Sequence, residues 1–279
     1  MEQRNIIEPT FTLSDHREHT LQAFKDLASL DGIDYITVGV DLNRYFHLTD
    51  MKGIERSWDY ANLVTLYREI YDAIKTENPN VSVGPGVNWS TLMGLTHPQV
   101  AAELSLDTTD PVQNLIAFEV AADRTIWSLM IDEDGATKAD YIGVNLAPFV
   151  ADPPFNNSPD PEDKDAVRSF YQLLPLVASL PSEAKALPIA FTQIDWSSSN
   201  NAMTGGKTPF LKVLKESVSH VNPTWASWRR LSDLPVEPVE SSKCATYEQR
   251  GYKTDFCFSG LVDYVGKARD VWTEFIQSP

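Results

Sequence analysis

At 279 residues the chain is long enough to bury the core of a large domain, and 42% hydrophobic against 22% charged residues is ordinary for a globular protein rather than a disordered one. The net charge of −16 sets it against nucleic-acid backbones and anionic membrane surfaces, which would repel it, while a neutral polymer such as a polysaccharide is compatible. No run approaches the roughly 18 apolar residues of a membrane helix, and Met1-Glu2-Gln3-Arg4 leads into no apolar stretch of signal-peptide type, which reads as a cytosolic protein or a trimmed sequence.

In chain order, short apolar runs alternate with longer segments of helical period, the pattern of βα units and a parallel sheet. Ser14 is placed to cap a helix over 14–30 with Leu21, Phe24, Leu27 and Leu30 on one face. Tyr35-Ile36-Thr37-Val38-Gly39 follows as a buried strand. From Trp58 to Lys75 the residues Leu63, Leu66, Tyr67, Ile70, Tyr71 and Ile74 recur at helical spacing. Asn78-Pro79-Asn80 stops that helix, and Val81-Ser82-Val83-Gly84 is the next strand. The stretch 96–138 predicts one or two helices before the strand Tyr141–Leu146. The Pro-, Asn- and Asp-rich 148–164 reads as a loop, and 164–180 as a helix. Pro188–Gln193 is a further strand, a helix falls around 208–220, and 224–229 is the last strand. Residues 233–258 look irregular, and 261–277 predict a closing helix. Five strands are placed in this way. Asn5-Ile6-Ile7-Glu8 is the sole earlier strand material, too little for three more βα units at about 30 residues each.

Several features carry little on their own. His16, His19, His47, His97 and His220 show no ligand spacing joined to a Cys or acid cluster, so no metal site and no cofactor is expected. Gly205-Gly206-Lys207-Thr208 has only the second half of a phosphate-loop pattern. Cys244 and Cys257 either pair, closing a short loop for about 3 kcal/mol on a chain-entropy argument, or stay as free thiols. Sequons at Asn80, Asn88 and Asn156 are no more than chance supplies. Trp89, Trp196, Trp225 and Trp228 fall near strand ends, where such rings stack on sugar faces or serve as packing.

The ordered set of segments is more specific. Gly39-Val40-Asp41-Leu42-Asn43-Arg44-Tyr45 precedes Trp58 and Leu66-Tyr67-Arg68-Glu69-Ile70-Tyr71-Asp72-Ala73-Ile74-Lys75, and Val83-Gly84-Pro85-Gly86 comes next. Ile142-Gly143-Val144-Asn145-Leu146-Ala147-Pro148 and Phe191-Thr192-Gln193-Ile194-Asp195-Trp196-Ser197-Ser198-Ser199 follow. Trp228-Arg229-Arg230-Leu231-Ser232-Asp233, Cys257-Phe258-Ser259-Gly260-Leu261 and Gly266-Lys267 end the series. This order resembles the C-terminal two-thirds of the retaining glycoside hydrolases with (β/α)8 barrels, the group of endo-galactanases and cellulases, over residues ~10–279.

The resemblance implies an α/β fold, a parallel (β/α) barrel of TIM type, incomplete, with the equivalents of strands 4–8 recognisable. Residues 1–279 then form a single barrel domain lacking the first three βα units. It places the acid/base at Asp41 and the nucleophile at Gln193, with Asn43, Asn145, Trp196 and Trp228 as sugar contacts. Retaining hydrolysis needs two carboxyl groups about 5–5.5 Å apart. A neutral glutamine amide cannot form the glycosyl ester. Asp41 is one methylene shorter than the family's glutamate, and a shift of about 1 Å can cost on the order of 100-fold. Val40 and Ala147 also replace the family's Asn and Tyr. Four linked departures predict lost hydrolysis and leave a glycan-binding, structural or interaction module. The alternatives are an active glycosidase pairing Asp41 with Asp195, two residues beyond Gln193 on the same strand face, or one piece of a split enzyme. Asp195 reads more readily as a cap on the turn containing Ser197 and Ser198. Open edges of an apolar parallel sheet call for a cover, from the N-terminal segment, a homo-oligomer or a second chain. The family is mostly secreted, which favours an extracellular location.

Overall fold

A computed structural model describes residues 11, 14–47, 57–146, 164–170, 173–194, 207–219, 221 and 223–228. The elements alternate as the periodicities predict: α1 (Ser14–Ala28), β1 (Tyr35–Val38), a 3-10 turn (Leu42–His47), α2 (Ser57–Glu77) and β2 (Ser82–Asn88). A helical path follows through α3 (Trp89–Thr91), a π-helical turn (Leu92–Thr96), α4 (His97–Glu103), α5 (Pro111–Ala122), a second π turn (Asp123–Trp127) and α6 (Ser128–Met130). Then come β3 (Ile142–Leu146), α7 (Lys164–Phe170), α8 (Leu174–Ala178), β4 (Ile189–Ile194), α9 (Lys207–Val218) and β5 (Ala226–Trp228). The sheet has five strands in chain order, β1-β2-β3-β4-β5. Strands that neighbour in sequence order with helices between them define an incomplete parallel (β/α) barrel. Among the described residues no helix is long and apolar enough to cross a membrane.

The chain divides into two compact units. The first comprises Met1–Asn88, Ala122–Gly143 and Leu180–Pro188. Here β1 pairs in parallel with β2, from Tyr35 opposite Ser82 to Val38 opposite Pro85. The ladder stops where proline has no N–H to give. α2 forms because Leu63, Leu66, Tyr67, Ile70 and Ile74 make one buried stripe, with Asp59 in the first turn and Lys75 in the last to suit the helix dipole. Arg68 on α2 donates from Nη2 to the carbonyls of Ser128 and Ile131, both at 2.6 Å, and so covers the end of α6. Lys75 Nζ donates to Asp140 Oδ2 at 3.1 Å, and the backbone N–H of Val83 donates to the same oxygen at 2.9 Å. That carboxylate pins the start of the third strand to the second.

Gly84 is there for space. A Cβ on it would lie 2.5 Å from the Tyr141 carbonyl oxygen and 2.7 Å from the Tyr141 ring. Tyr141 in turn shares a 2.6 Å hydrogen bond with Thr37 Oγ1 of β1, and burial raises its phenol to about 12. Gly86 is equally crowded, its Cβ position lying 2.5 Å from the Gly39 carbonyl oxygen. Sequence reasoning places this strand over Val81–Gly84 only. In the structure β2 runs on to Asn88, since the glycine serves close backbone approach.

The second unit comprises Trp89–Ala121, Val144–Ser179 and Ile189–Pro279. Trp89 is buried, donates from Nε1 to the Phe170 carbonyl at 2.6 Å and packs against Phe118 with ring centroids 5.9 Å apart. β4 pairs in parallel with β5, the N–H of Phe191 donating to Trp225 O and that of Thr224 to Ile189 O. The single helix expected over 164–180 is two, α7 and α8, with Leu173 between them at φ 54°. Pro175 explains the break: it lacks an N–H and its ring excludes a helical carbonyl four residues before it, so it starts a helix and cannot continue one. Likewise 89–130 holds four α segments and two π turns, where sequence reasoning expects one or two helices over 96–138. The expected loop over 148–164, save Lys164 which starts α7, the irregular segment 233–258 and the closing helix 261–277 lie outside the described residues.

Candidate functional site

Within each unit, the described polar residues singled out by sequence lie toward or just beyond the C-terminal ends of strands, where barrel chemistry is carried. In the first unit β1 ends at Val38, and the chain turns sharply through Gly39 (φ 73°) and Asp41 (φ 56°). Gly39 suits the turn because its φ of 73° is a conformation that residues with a Cβ rarely adopt. Asp tolerates the left-handed region better than bulkier residues, because its short polar side chain can bond locally. The N–H of Arg44 closes the turn on the Asp41 carbonyl at 2.8 Å.

Three hydrogen bonds join this turn to the end of β2. Asn88 Nδ2 donates to Asp41 Oδ1 at 3.0 Å. Asn43 Nδ2 donates to the Asn88 carbonyl at 2.9 Å, and the Asn88 N–H donates to Asn43 Oδ1 at 2.8 Å. Asn43 is fully buried and Asn88 is 4% exposed, so the two bonds between them form away from competing water. The Asn43 amide thereby imitates a neighbouring backbone, capping the strand end with one donor and one acceptor. Asn88 is also the second sequon, and its burial leaves its amide as an internal tie.

Behind the turn, Asp59 is fully buried and accepts from Tyr45 Oη at 2.7 Å, Asn62 Nδ2 at 2.7 Å and the Phe11 N–H at 3.3 Å. Phe11 and Tyr45 meet edge to face with centroids 4.9 Å apart. A cavity of about 390 Å³ opens here, lined by Phe11, Asp41, Arg44, Tyr45 and Leu63 among others. That lies within the range of small-molecule sites. His47 ends the turn, and burial lowers its imidazole to about 4, so the ring is neutral near pH 7.

In the second unit Asn145, 1% exposed on β3, accepts from Thr192 Oγ1 on β4 at 2.5 Å. Gln193 follows Thr192 and is the one residue of β4 that is only half buried. Trp228 ends β5. Asp195, Trp196, Ala147, Cys244 and Cys257 lie outside the described residues. Thus the structure brings Asp41 and Asn43 together within the first unit, and it ties Asn145 into the sheet. Asn88, Tyr45 and Asp59 join the first cluster without having been singled out for it. Only the strand-end position of Asn88 could have signalled its part.

Alternating β and α elements around a parallel sheet define the class, an incomplete (β/α)-barrel protein. Among solved structures, the fold is similar to that of GH5_18 from Streptomyces cattleya in complex with GlcNAc, with a TM-score of 0.60 at 12% identity, covering 96% of this chain and 56% of that one. It is similar to the exo-beta-1,4-mannosidase Op5Man5 from Opitutaceae bacterium strain TAV5, with a TM-score of 0.58 at 13% identity, covering 96% of this chain and 40% of that one. A hyperthermophilic beta-glucosidase mutant matches with a TM-score of 0.51 at 16% identity, covering 90% of this chain and 58% of that one. The resemblance to barrel glycoside hydrolases is therefore a resemblance of fold, and the chain spans about half the length of these structures. No protein-family model matches the chain, and no curated protein matches it by sequence.

Proposed function

We propose that this glycoside-hydrolase-like chain holds a glycan without cleaving it. The observation that carries the reading is Gln193, a neutral amide on β4 at the position where the resemblance expects the nucleophile. An amide can donate to and accept from sugar hydroxyls but cannot form the glycosyl ester of a retaining reaction. Asp41 retains a carboxylate that accepts hydrogen bonds, and the cavity beside it offers Phe11 and Tyr45 as aromatic walls. Apolar ring surface with a few converging polar groups is what a pyranose needs. Proteins of similar fold are described as a mannosidase and as bound to GlcNAc, which makes sugars the first ligands to try.

The test uses a panel of aryl-glycosides alongside oligosaccharide titrations. The expected result is binding without turnover, weakened in Trp196→Ala. Turnover that vanishes in Asp41→Ala or Asp195→Ala would overturn the reading in favour of a glycosidase with an unusual carboxylate pair. Neither turnover nor binding would leave a structural or partner-binding role.

A further inference from the structure

We propose that Asn88 is the positioning residue for Asp41, and that the Asn43–Asn88 clasp presents the Asp41 carboxylate as an acceptor for the hydroxyls of an uncharged glycan. The glycan half of this statement rests on the binding role proposed above; the clasp stands on geometry alone. Asp41 occupies a left-handed conformation at φ 56°, two residues after Gly39 at φ 73°. A turn with two such residues has no regular ladder to hold it. Besides the Arg44 N–H on the Asp41 carbonyl, contacts to residue 88 hold it: Asn88 Nδ2 to Asp41 Oδ1, Asn43 Nδ2 to Asn88 O, and Asn88 N–H to Asn43 Oδ1.

The two asparagines divide the work. Asn43 uses both ends of its amide on the backbone of residue 88, and it is fully buried, so it fixes the turn and does not reach a ligand. Asn88 uses its side chain to aim one carboxylate oxygen. The Asn88 amide orients the carboxylate by a neutral hydrogen bond, and the group so held accepts hydroxyl donors. The chain charge of −16 disfavours anionic ligands, so neutral sugars are selected over uronates and sulfated sugars.

The first arm of the test needs no ligand. In protein labelled with 13C at the Asp carboxyl carbons, the Asp41 resonance, assigned by its loss in Asp41→Asn, is expected to move in Asn88→Ala. It should stay put in the control Thr65→Ala, an exposed position on α2. An unmoved Asp41 resonance in Asn88→Ala overturns the clasp. Should Asn88→Ala fail to fold, Asn88→Asp takes its place: it keeps the volume and the backbone half of the clasp while setting a carboxylate against Asp41, and a larger displacement is expected.

The second arm titrates neutral gluco-, manno- and galacto-oligosaccharides beside uronate and sulfated analogues. Neutral sugars are expected to bind, and Asn88→Ala to weaken them on the order of 10-fold, with no further loss when it is added to Asp41→Ala. Additive losses, or a preference for the anionic sugars, overturn the proposal. A moved carboxyl resonance with no glycan bound supports the clasp and overturns the glycan role, so the two failures are told apart.

Discussion

Replacing Asp59 by alanine should destabilise the protein by about 3 kcal/mol. The carboxylate is fully buried and takes two short hydrogen bonds, from Tyr45 Oη and Asn62 Nδ2 at 2.7 Å each, and a longer one from the Phe11 N–H at 3.3 Å. A hydrogen bond to a charged group contributes about 1.5–3 kcal/mol. The two short bonds therefore set a ceiling near 6 kcal/mol, and about half is discounted because the donors are only part-buried and can turn to water. Asp59→Asn keeps one acceptor and turns an NH2 toward a donor, so about 2 kcal/mol is expected. Urea denaturation at constant m, followed by tryptophan fluorescence, reads these values directly. The control is Asp72→Ala, which removes a pair with Lys138 at 2.8 Å in which Asp72 is 57% exposed. Exposed pairs contribute roughly 0–1 kcal/mol. If Asp59→Ala costs no more than Asp72→Ala, the buried anchor behind the site turn is not what holds it.

Gly84→Ala should cost about 1–3 kcal/mol or more, because the added methyl meets the Tyr141 backbone at 2.5 Å and backbone cannot step aside; a midpoint unchanged in urea would refute the close-approach argument. Stability should fall as pH drops from about 6.5 toward 4, because the unfolded chain protonates His47 before the fold allows it, and His47→Gln should flatten that part of the profile. At the alkaline end the sign reverses: the folded phenols of Tyr71 and Tyr141 are pushed up to about 12, so their stabilising share is whole below about 10 and is lost as pH rises toward 12. Absorbance titration near 295 nm should accordingly show late-ionising tyrosines in the folded protein and not in urea.

The order of strands and helices was legible because burial imposes a period, and a period survives in sequence. The stripe from Leu63 to Ile74 on α2 is the plainest instance. The misplaced boundaries have separate causes, close backbone packing at one and a proline at the other. Nothing in the sequence shows that β2 runs on past Gly86, whose part is to leave room for Gly39 O 2.5 Å from its Cβ position. Pro175 sits inside an apolar run that otherwise reads as one helix. The candidate site divides in the same way. Asp41 and Gln193 stood out through neighbouring residues that form ordered motifs. Asn88 did not, since its partner Asn43 lies 45 residues away and no spacing rule joins a strand end to a turn.

The clasp at Asn88 also sets a race in any cell that glycosylates asparagine during translocation. Asn88-Trp89-Ser90 is an acceptor sequence while the chain is extended, and the atom that would be modified is the Nδ2 that reaches Asp41 in the fold. A sugar attached there would need room at a position only 4% exposed, so the modified chain could not close its site. Asn80, exposed in the loop before β2, would carry the same modification without that conflict. The yield of folded protein from a secretory host should therefore depend on how fast the second strand is buried, and Ser90→Ala, which abolishes the acceptor sequence but leaves the clasp atoms untouched, should recover it.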